Sequence, residues 1–485
     1  MVQGFAEYCE RFKPLIPGST TAQRVAGLSL LAAPFIFALV FVLSCSKGDE
    51  KTPVLARVGD RTISGEEFRR RAELSLPPYR DTDPESVKLQ LVDLLTCEKM
   101  MALEAEALAL DTSRIFLATA DFAGELALAR ELYIEEVRDK VELDEGEIED
   151  AIEKMAQTRT VKLLPFSDRE RAERYHQRLS NGESFEKIAA EIYGLAADTL
   201  SQRMTTSWGD NEPALDEAVI ALKKIGQLSP VFRTSRGFAV CVLENIERDA
   251  VQTRTDYEDL KRRARTVLRA RLESQRSGEF VSAFMGDKGV TLDREVFPVF
   301  AQAILGQIRF SPEKIKVNTL QMDGIDRIQQ DLAPHRHRTL VRFHGGQWSV
   351  QDAIDRWRLC NLPLDIKSEQ ACRRSIVRNL STMIRDKFLA DEARRRGYCN
   401  RSSVKEQVGM WRDHLLYAML KNKLSKPDLD PEFDWTGYLD RLRCKYPAKI
   451  DSGLIGEIVL NDIRLLAVRP GQYASLVVPV WPRFE

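Results

Sequence analysis

The sequence predicts an α+β chain in which mainly helical modules, present twice, flank a small α+β domain. Three observations carry this. Leu55–Phe68, "LARVGDRTISGEEF", and Leu340–Ala353, "LVRFHGGQWSVQDA", align without a gap. Each is followed by a long segment with apolar residues recurring at three and four, the spacing of an amphipathic helix. Between the two copies, "VKLLPFSDRERAERYHQRLSNGESFEKIAA" reads as a strand, a helix, a glycine break and a second helix.

The chain has 485 residues, room for two to four domains at ~100–200 residues each. Its 72 basic and 73 acidic residues leave a net charge of −1, which gives no footing for bulk nucleic-acid binding. One segment departs from this mixed surface. Val25–Leu43, "VAGLSLLAAPFIFALVFVL", is a run of 19 residues without a charge, close to the ~20 that a helix needs to cross a bilayer. Residues 1–45 are therefore expected to be an export segment. Ser44-Cys45 at its end resembles the lipobox of bacterial lipoproteins, with Val42 where leucine is more usual. Lipidation at Cys45 would anchor the chain through two acyl chains; an uncleaved signal anchor is the other reading. Of the eight cysteines none forms a CxxC pair, and spacing assigns no disulfide.

Residues 46–156 are expected to form an N-terminal helical module. It opens with an alternating strand, a Gly59-Asp60 turn and a second strand, and Ser64 stands where a helix N-cap would. Residues 157–248 are the small α+β domain. Residues 249–290 read as a charged closing helix whose apolar face (Tyr257, Leu260, Ala264, Val267, Leu268, Leu272) would pack on the first module. Residues 291–336 are a connection, and 337–485 repeat the helical module, with Gly345-Gly346 at the turn and Ser349 at the cap. The tail "ASLVVPVWPRF" is apolar but interrupted by prolines, which suits an edge element or a partner contact better than a central strand.

Residues 160–246 resemble the parvulin family of peptidyl-prolyl isomerases. The likeness rests on "TVKLLPF", "RLSNGESFEKIAAEIY", "TTSWGD", "LDEAVIALKKIGQLSPVFRT" and "RGFAVCVLENIE", which fall in register with the family's strands, helices, glycine breaks and G-W turn. The wider plan, an exported helical module around such a domain, is similar to SurA-type chaperones and PrsA-type foldases of the bacterial envelope. The resemblance implies binding of unfolded or extended client polypeptides. It places the chain on the periplasmic side of the envelope, membrane-anchored; Ser46 after Cys45 favours the outer membrane if Cys45 is lipidated.

The family's activity is rotation about X-Pro bonds, against a barrier of ~18–20 kcal/mol. Its site uses two histidines, an Asp or Cys, a Thr or Ser, and an apolar Met/Phe pair. Here Leu163 and Ala239 stand at the two histidine positions and Leu215 at the phenylalanine; the methionine position falls near Asn211. The Asp/Cys position falls near Ala196, with Asp198 close by, and Thr234 is retained. Thr234 and Asp198 are thus the residual catalytic candidates. Leu163, Trp208, Leu215, Phe238 and Ala239 are the candidate peptide groove. No triad, metal set or nucleotide fingerprint is present, so no cofactor and no metal are expected. Three functions remain open: a client-binding chaperone of the parvulin type without strong isomerase activity, an active isomerase with an atypical site, and an assembly lipoprotein gripping one fixed partner.

Overall fold

The computed structural model describes residues 53–75, 84–193, 203–235, 237–248, 253–308, 317–318, 320, 322–360, 362–425, 433–460 and 478–484. The export segment with Cys45, and Ala196 and Asp198, lie outside the described residues. The architecture is α+β, mainly helical with small antiparallel sheets. Among the described residues one compact unit holds 53–133 with 285–484, and the other holds 134–284.

The first unit opens with β1 (Val54–Val58) and β2 (Arg61–Ser64), an antiparallel hairpin turned at Gly59 with φ of +59°. Ser64 caps α1 (Gly65–Leu74), its hydroxyl accepting from the Glu67 amide at 2.9 Å. Two long helices follow, α2 (Pro84–Ala107) and α3 (Arg114–Glu136).

The second unit begins with α4 (Glu145–Met155), capped by Asp144. It continues through β3 (Gln157–Phe166), α5 (Arg169–Ser180), α6 (Phe185–Tyr193), β4 (Arg203–Ser207), α7 (Pro213–Ile220), β5 (Phe232–Thr234), β6 (Gly237–Arg248) and α8 (Arg254–Met285). The four strands form one antiparallel sheet in the order β4-β3-β6-β5. Strand alternation gives the sheet two apolar faces. Leu164, Phe166 and Val240 pack under α5 and α6 against Ala172, Tyr175, Phe185 and Ile188. Val161, Cys241 and Leu243 pack under α7 against Leu215, Val219 and Leu222. α8 lies on α4 through Tyr257, Leu260, Ala264, Val267 and Leu268, which meet Ile148, Ala151, Ile152 and Met155.

The chain then completes the first unit. β7 (Thr291–Leu292), α9 (Val296–Leu305), β8 (Val317–Asn318) and α10 (Met322–Asp331) lead to β9 (Thr339–Phe343) and β10 (Gly346–Ser349). This second hairpin turns at Gly345, with φ of +88°, and Ser349 accepts from the Asp352 amide at 3.2 Å at the start of α11 (Val350–Cys360). β11 (Leu364–Asp365), α12 (Glu369–Arg395), α13 (Ser402–Leu424), α14 (Trp435–Lys445), β12 (Ala448–Ile450) and α15 (Ser452–Glu457) follow. β12 adds a third strand to the first hairpin by pairing with β1.

Within this unit the third helix after each hairpin reaches the other hairpin's helices. α13 packs on α2, where Leu415, Leu416, Tyr417 and Leu420 meet Cys97, Met100 and Met101. Its Asp413 accepts from Lys99 at 2.9 Å and from Arg61 at 2.6 Å. In return α3 pairs Glu125 with Arg356, whose guanidinium lies 4.8 Å from the Phe122 ring centre. Among the described residues no helix is long and apolar enough to cross a membrane. The six described cysteines are free thiols.

Candidate functional site

Register in the second unit's sheet decides which of the candidate residues share a surface. Leu163 on β3 stands opposite Cys241 on β6, and Ala239 stands between Pro165 and Phe232. Cross-strand partners point to the same face, so Leu163, Ala239, Cys241 and Phe232 line the side covered by α7. Leu215 closes over them from α7. Thr234, two residues beyond Phe232 and opposite Gly237, is on this face at its open end. Burial is graded along the face. Val161, Ala239, Cys241 and Leu243 are fully buried, Leu163, Phe232 and Thr234 are half-buried, and Pro165 is exposed. The result is an apolar shelf with a buried floor of Ala239, Cys241 and Val161 and an accessible rim of Thr234, Phe232, Leu163 and Pro165.

The other groove candidates lie elsewhere. Phe238 falls on the opposite face, against the cluster of Leu164, Phe166 and Tyr175. Trp208 follows β4 and packs with Met155 and Ala264 between α4 and α8. Its indole N–H donates to Glu217 at 3.0 Å, and the Arg271 guanidinium lies 4.1 Å from its ring centre. The next residue must be glycine. Gly209 has φ of +96°, and a Cβ there would stand 2.8 Å from Met155 Cε. Trp208-Gly209 is therefore a hub that fixes α8. Asp198 and Ala196 lie outside the described residues.

The chemistry of the shelf follows from its residues. Burial pushes the Cys241 thiol up to about 11, so it stays protonated and un-nucleophilic near neutral pH. Its amide donates to the Ser229 hydroxyl at 2.9 Å. At the two places where the resemblance puts imidazoles, the side chains are those of leucine and alanine. No group of His, Cys, Asp or Glu able to hold a metal exists among the described residues.

One polar residue of this face was missed in the sequence. Arg159, on β3, is almost wholly buried, and its Nη1 donates to the carbonyls of Val219, Ile220 and Leu222 at 2.7–2.8 Å. It satisfies the C-terminal carbonyls of α7 and so holds Leu215 over the sheet. The signal was present as an arginine inside the alternation "TRTVKLLPF".

No family model matches the sequence, nor does any curated protein sequence. Solved structures give partial likenesses. The peptidylprolyl isomerase PrsA of Bacillus anthracis is 17% identical and covers 32% of this chain and 70% of its own, with a TM-score of 0.22. The foldase protein PrsA of Streptococcus pneumoniae is 13% identical over 46% of this chain and 89% of its own, with a TM-score of 0.24. PrsA of Bacillus subtilis is 14% identical over 48% and 93%, with a TM-score of 0.17.

Proposed function

We propose that the chain is an extracytoplasmic, membrane-anchored chaperone of the parvulin type that binds extended client polypeptides on the α7 face of its small sheet. It turns over X-Pro bonds weakly or not at all. The observation that carries this reading is the pairing of Leu163 with Cys241 and of Ala239 with Phe232 on one graded apolar face. An isomerase must place polar groups around an amide as it twists, because only interactions stronger in the transition state speed the step. Leu163 and Ala239 offer none. A half-buried apolar shelf still suits the side chains of an unfolded segment. Anchoring rests on the apolar run 25–43 and the Ser44-Cys45 pair that follows it.

Thr234 favours a second reading. It keeps a hydroxyl at the open end of the same face, the one polar group that the resemblance assigns to catalysis there. Exchange NMR on fragment 46–485 with short X-Pro peptides separates the two readings. The chaperone reading expects binding shifts without faster cis–trans exchange. Leu163→Asp should abolish the shifts while leaving circular dichroism unchanged. Acceleration that disappears in Thr234→Val overturns the chaperone reading in favour of an atypical isomerase.

A further inference from the structure

The segment Val478–Phe484, "VPVWPRF", forms neither helix nor strand, yet it is among the better buried parts of the first unit. Val478 is 2% exposed and Trp481 3%, and Pro479 and Pro482 are both buried. Its contacts repeat every third residue. Val478 packs with Met410 and Trp411. Trp481 packs among Leu55, Ile63, Phe68 and Leu91. Phe484 meets Tyr417 edge-on, with ring centres 5.6 Å apart. The bound carbonyls keep the same step. Arg71 Nη2 donates to Val480 O at 2.7 Å, and the Tyr417 hydroxyl donates to Arg483 O at 2.7 Å. Lys421 reaches the same Arg483 oxygen at 2.5 Å. The prolines stand three apart as well.

A period of three with no internal hydrogen bonds is that of polyproline II. Proline fixes φ at ~−65° for Pro479 and Pro482 and confines Val478 and Trp481, which precede them, to extended backbone. Four of these seven residues are thus ordered before they dock, which lowers the entropic cost of binding. The surface reads anchors at every third position and carbonyls, while Arg483 points to solvent. That is how aromatic-lined grooves take P-x-x-P segments.

We propose that the surface built by Arg71, Trp411, Tyr417 and Lys421, with the Ser75 carbonyl that accepts from the Trp481 indole at 3.4 Å and the Trp435 ring 6.1 Å from that of Phe484, is a second peptide-binding site, specific for extended proline-containing segments and occupied by the chain's own tail. It is independent of the α7 face, so either site can fail without the other. A client segment of the form apolar-Pro-x-aromatic-Pro-x-aromatic would compete with residues 478–484.

The test uses the chain from residue 46 with a site-specific protease sequence inserted between positions 461 and 477, so that the tail is cut after folding. Labelled acetyl-VPVWPRF-amide is then added and anisotropy followed. The expected result is saturable displacement of the cut tail, at least tenfold weaker for a peptide of the same composition with the prolines moved apart. Tyr417→Phe should weaken capture about fivefold. Equal capture of the rearranged peptide overturns the proposal. So does a cut chain that keeps its tail against excess peptide, or one that unfolds on cutting, since the segment is then an ordinary part of the core.

Discussion

The two hairpin–helix stretches of the first unit put the same kinds of residue in the same places and use them differently. Arg71 and Arg356 each stand seven residues after the capping serine. Glu98 and Asp386 each stand eleven residues before the left-handed residue that closes the long helix, Ala109 and Gly397. In the first stretch the fork is closed. Glu98 accepts from both terminal nitrogens of Arg71 at 2.9 and 3.1 Å, and His414 Nδ1 lies 2.9 Å from it. In the second, Asp386 pairs with its neighbour Arg385, and Arg356, which meets Glu125 through Nη1, leaves both Nε and Nη2 without acceptors, where Arg71 leaves only Nε. The titration of the two carboxyls then runs in opposite directions. Burial pushes Glu98 up, but Arg71 and His414 outweigh it and hold it down at about 2. Burial pushes Asp386 up, and Arg385 and Arg356 do not offset it. A buried charge stabilises when its partner matches it in geometry and not merely in sign.

The largest break in this comparison is removal of the matched carboxylate. Glu98→Ala leaves Arg71 buried without its acceptor and should cost ~3–5 kcal/mol in urea unfolding. Asp386→Ala should cost well under half of that. If the two cost the same, the closed fork contributes nothing special.

Acid titration sharpens the contrast by sign. The folded pKa of Glu98 is depressed, so its contribution is present above its unfolded value of ~4.3 and is lost as pH falls through about 2. The folded pKa of Asp386 is raised, so the folded state binds the proton more tightly and stability declines as pH rises from ~3.9 through the folded value. Asp386→Asn should therefore match or exceed the wild-type urea midpoint at pH 7 and lose that advantage at pH 3.5. Glu98→Gln should fall below wild type at pH 7.

The smallest expected effect lies at the closing residues. Ala109, with φ of +54°, is the one non-glycine residue with positive φ among those described, whereas Gly397 has φ of +78°. Ala109→Gly should stabilise by ~0.5–1 kcal/mol, read as a rise in thermal midpoint. Gly397→Ala should destabilise by ~1 kcal/mol for conformational reasons alone, since a Cβ there meets nothing within 4 Å.

Local features of this chain were legible in the sequence. Gly59 and Gly345 turn the hairpins, Ser64 and Ser349 cap the helices, and α8 packs through five of the six apolar residues read from its spacing, Leu272 not being among them. Each is decided within a few residues, where propensity and periodicity act. On the candidate shelf, alternation places Leu163 and Ala239 on the same side, and the same alternation puts Phe238 on the other. Trp208 was harder, because its partners come from α4 and α8, at long range. The charges of Arg71, Glu98 and His414 were illegible. Periodicity marks the helices they sit in as amphipathic but does not say that a charge faces inward, and His414 meets Glu98 across 316 positions. The tail was legible as apolar and proline-broken. Its seat was not, since periodicity says what a segment buries and not against what.

The reciprocal reach of α3 and α13 also sets a timetable. Every strand pair of the second unit's sheet lies within residues 157–248, so that sheet can close without any later residue. Lys99 must wait for Asp413, 314 positions later. Until Asp413 and His414 are in place, Lys99 has only Glu67 and Glu98 has only Arg71, so the network is half-built. The buried charges of the first hairpin's helices are thus completed only by residues from the far end of the same unit.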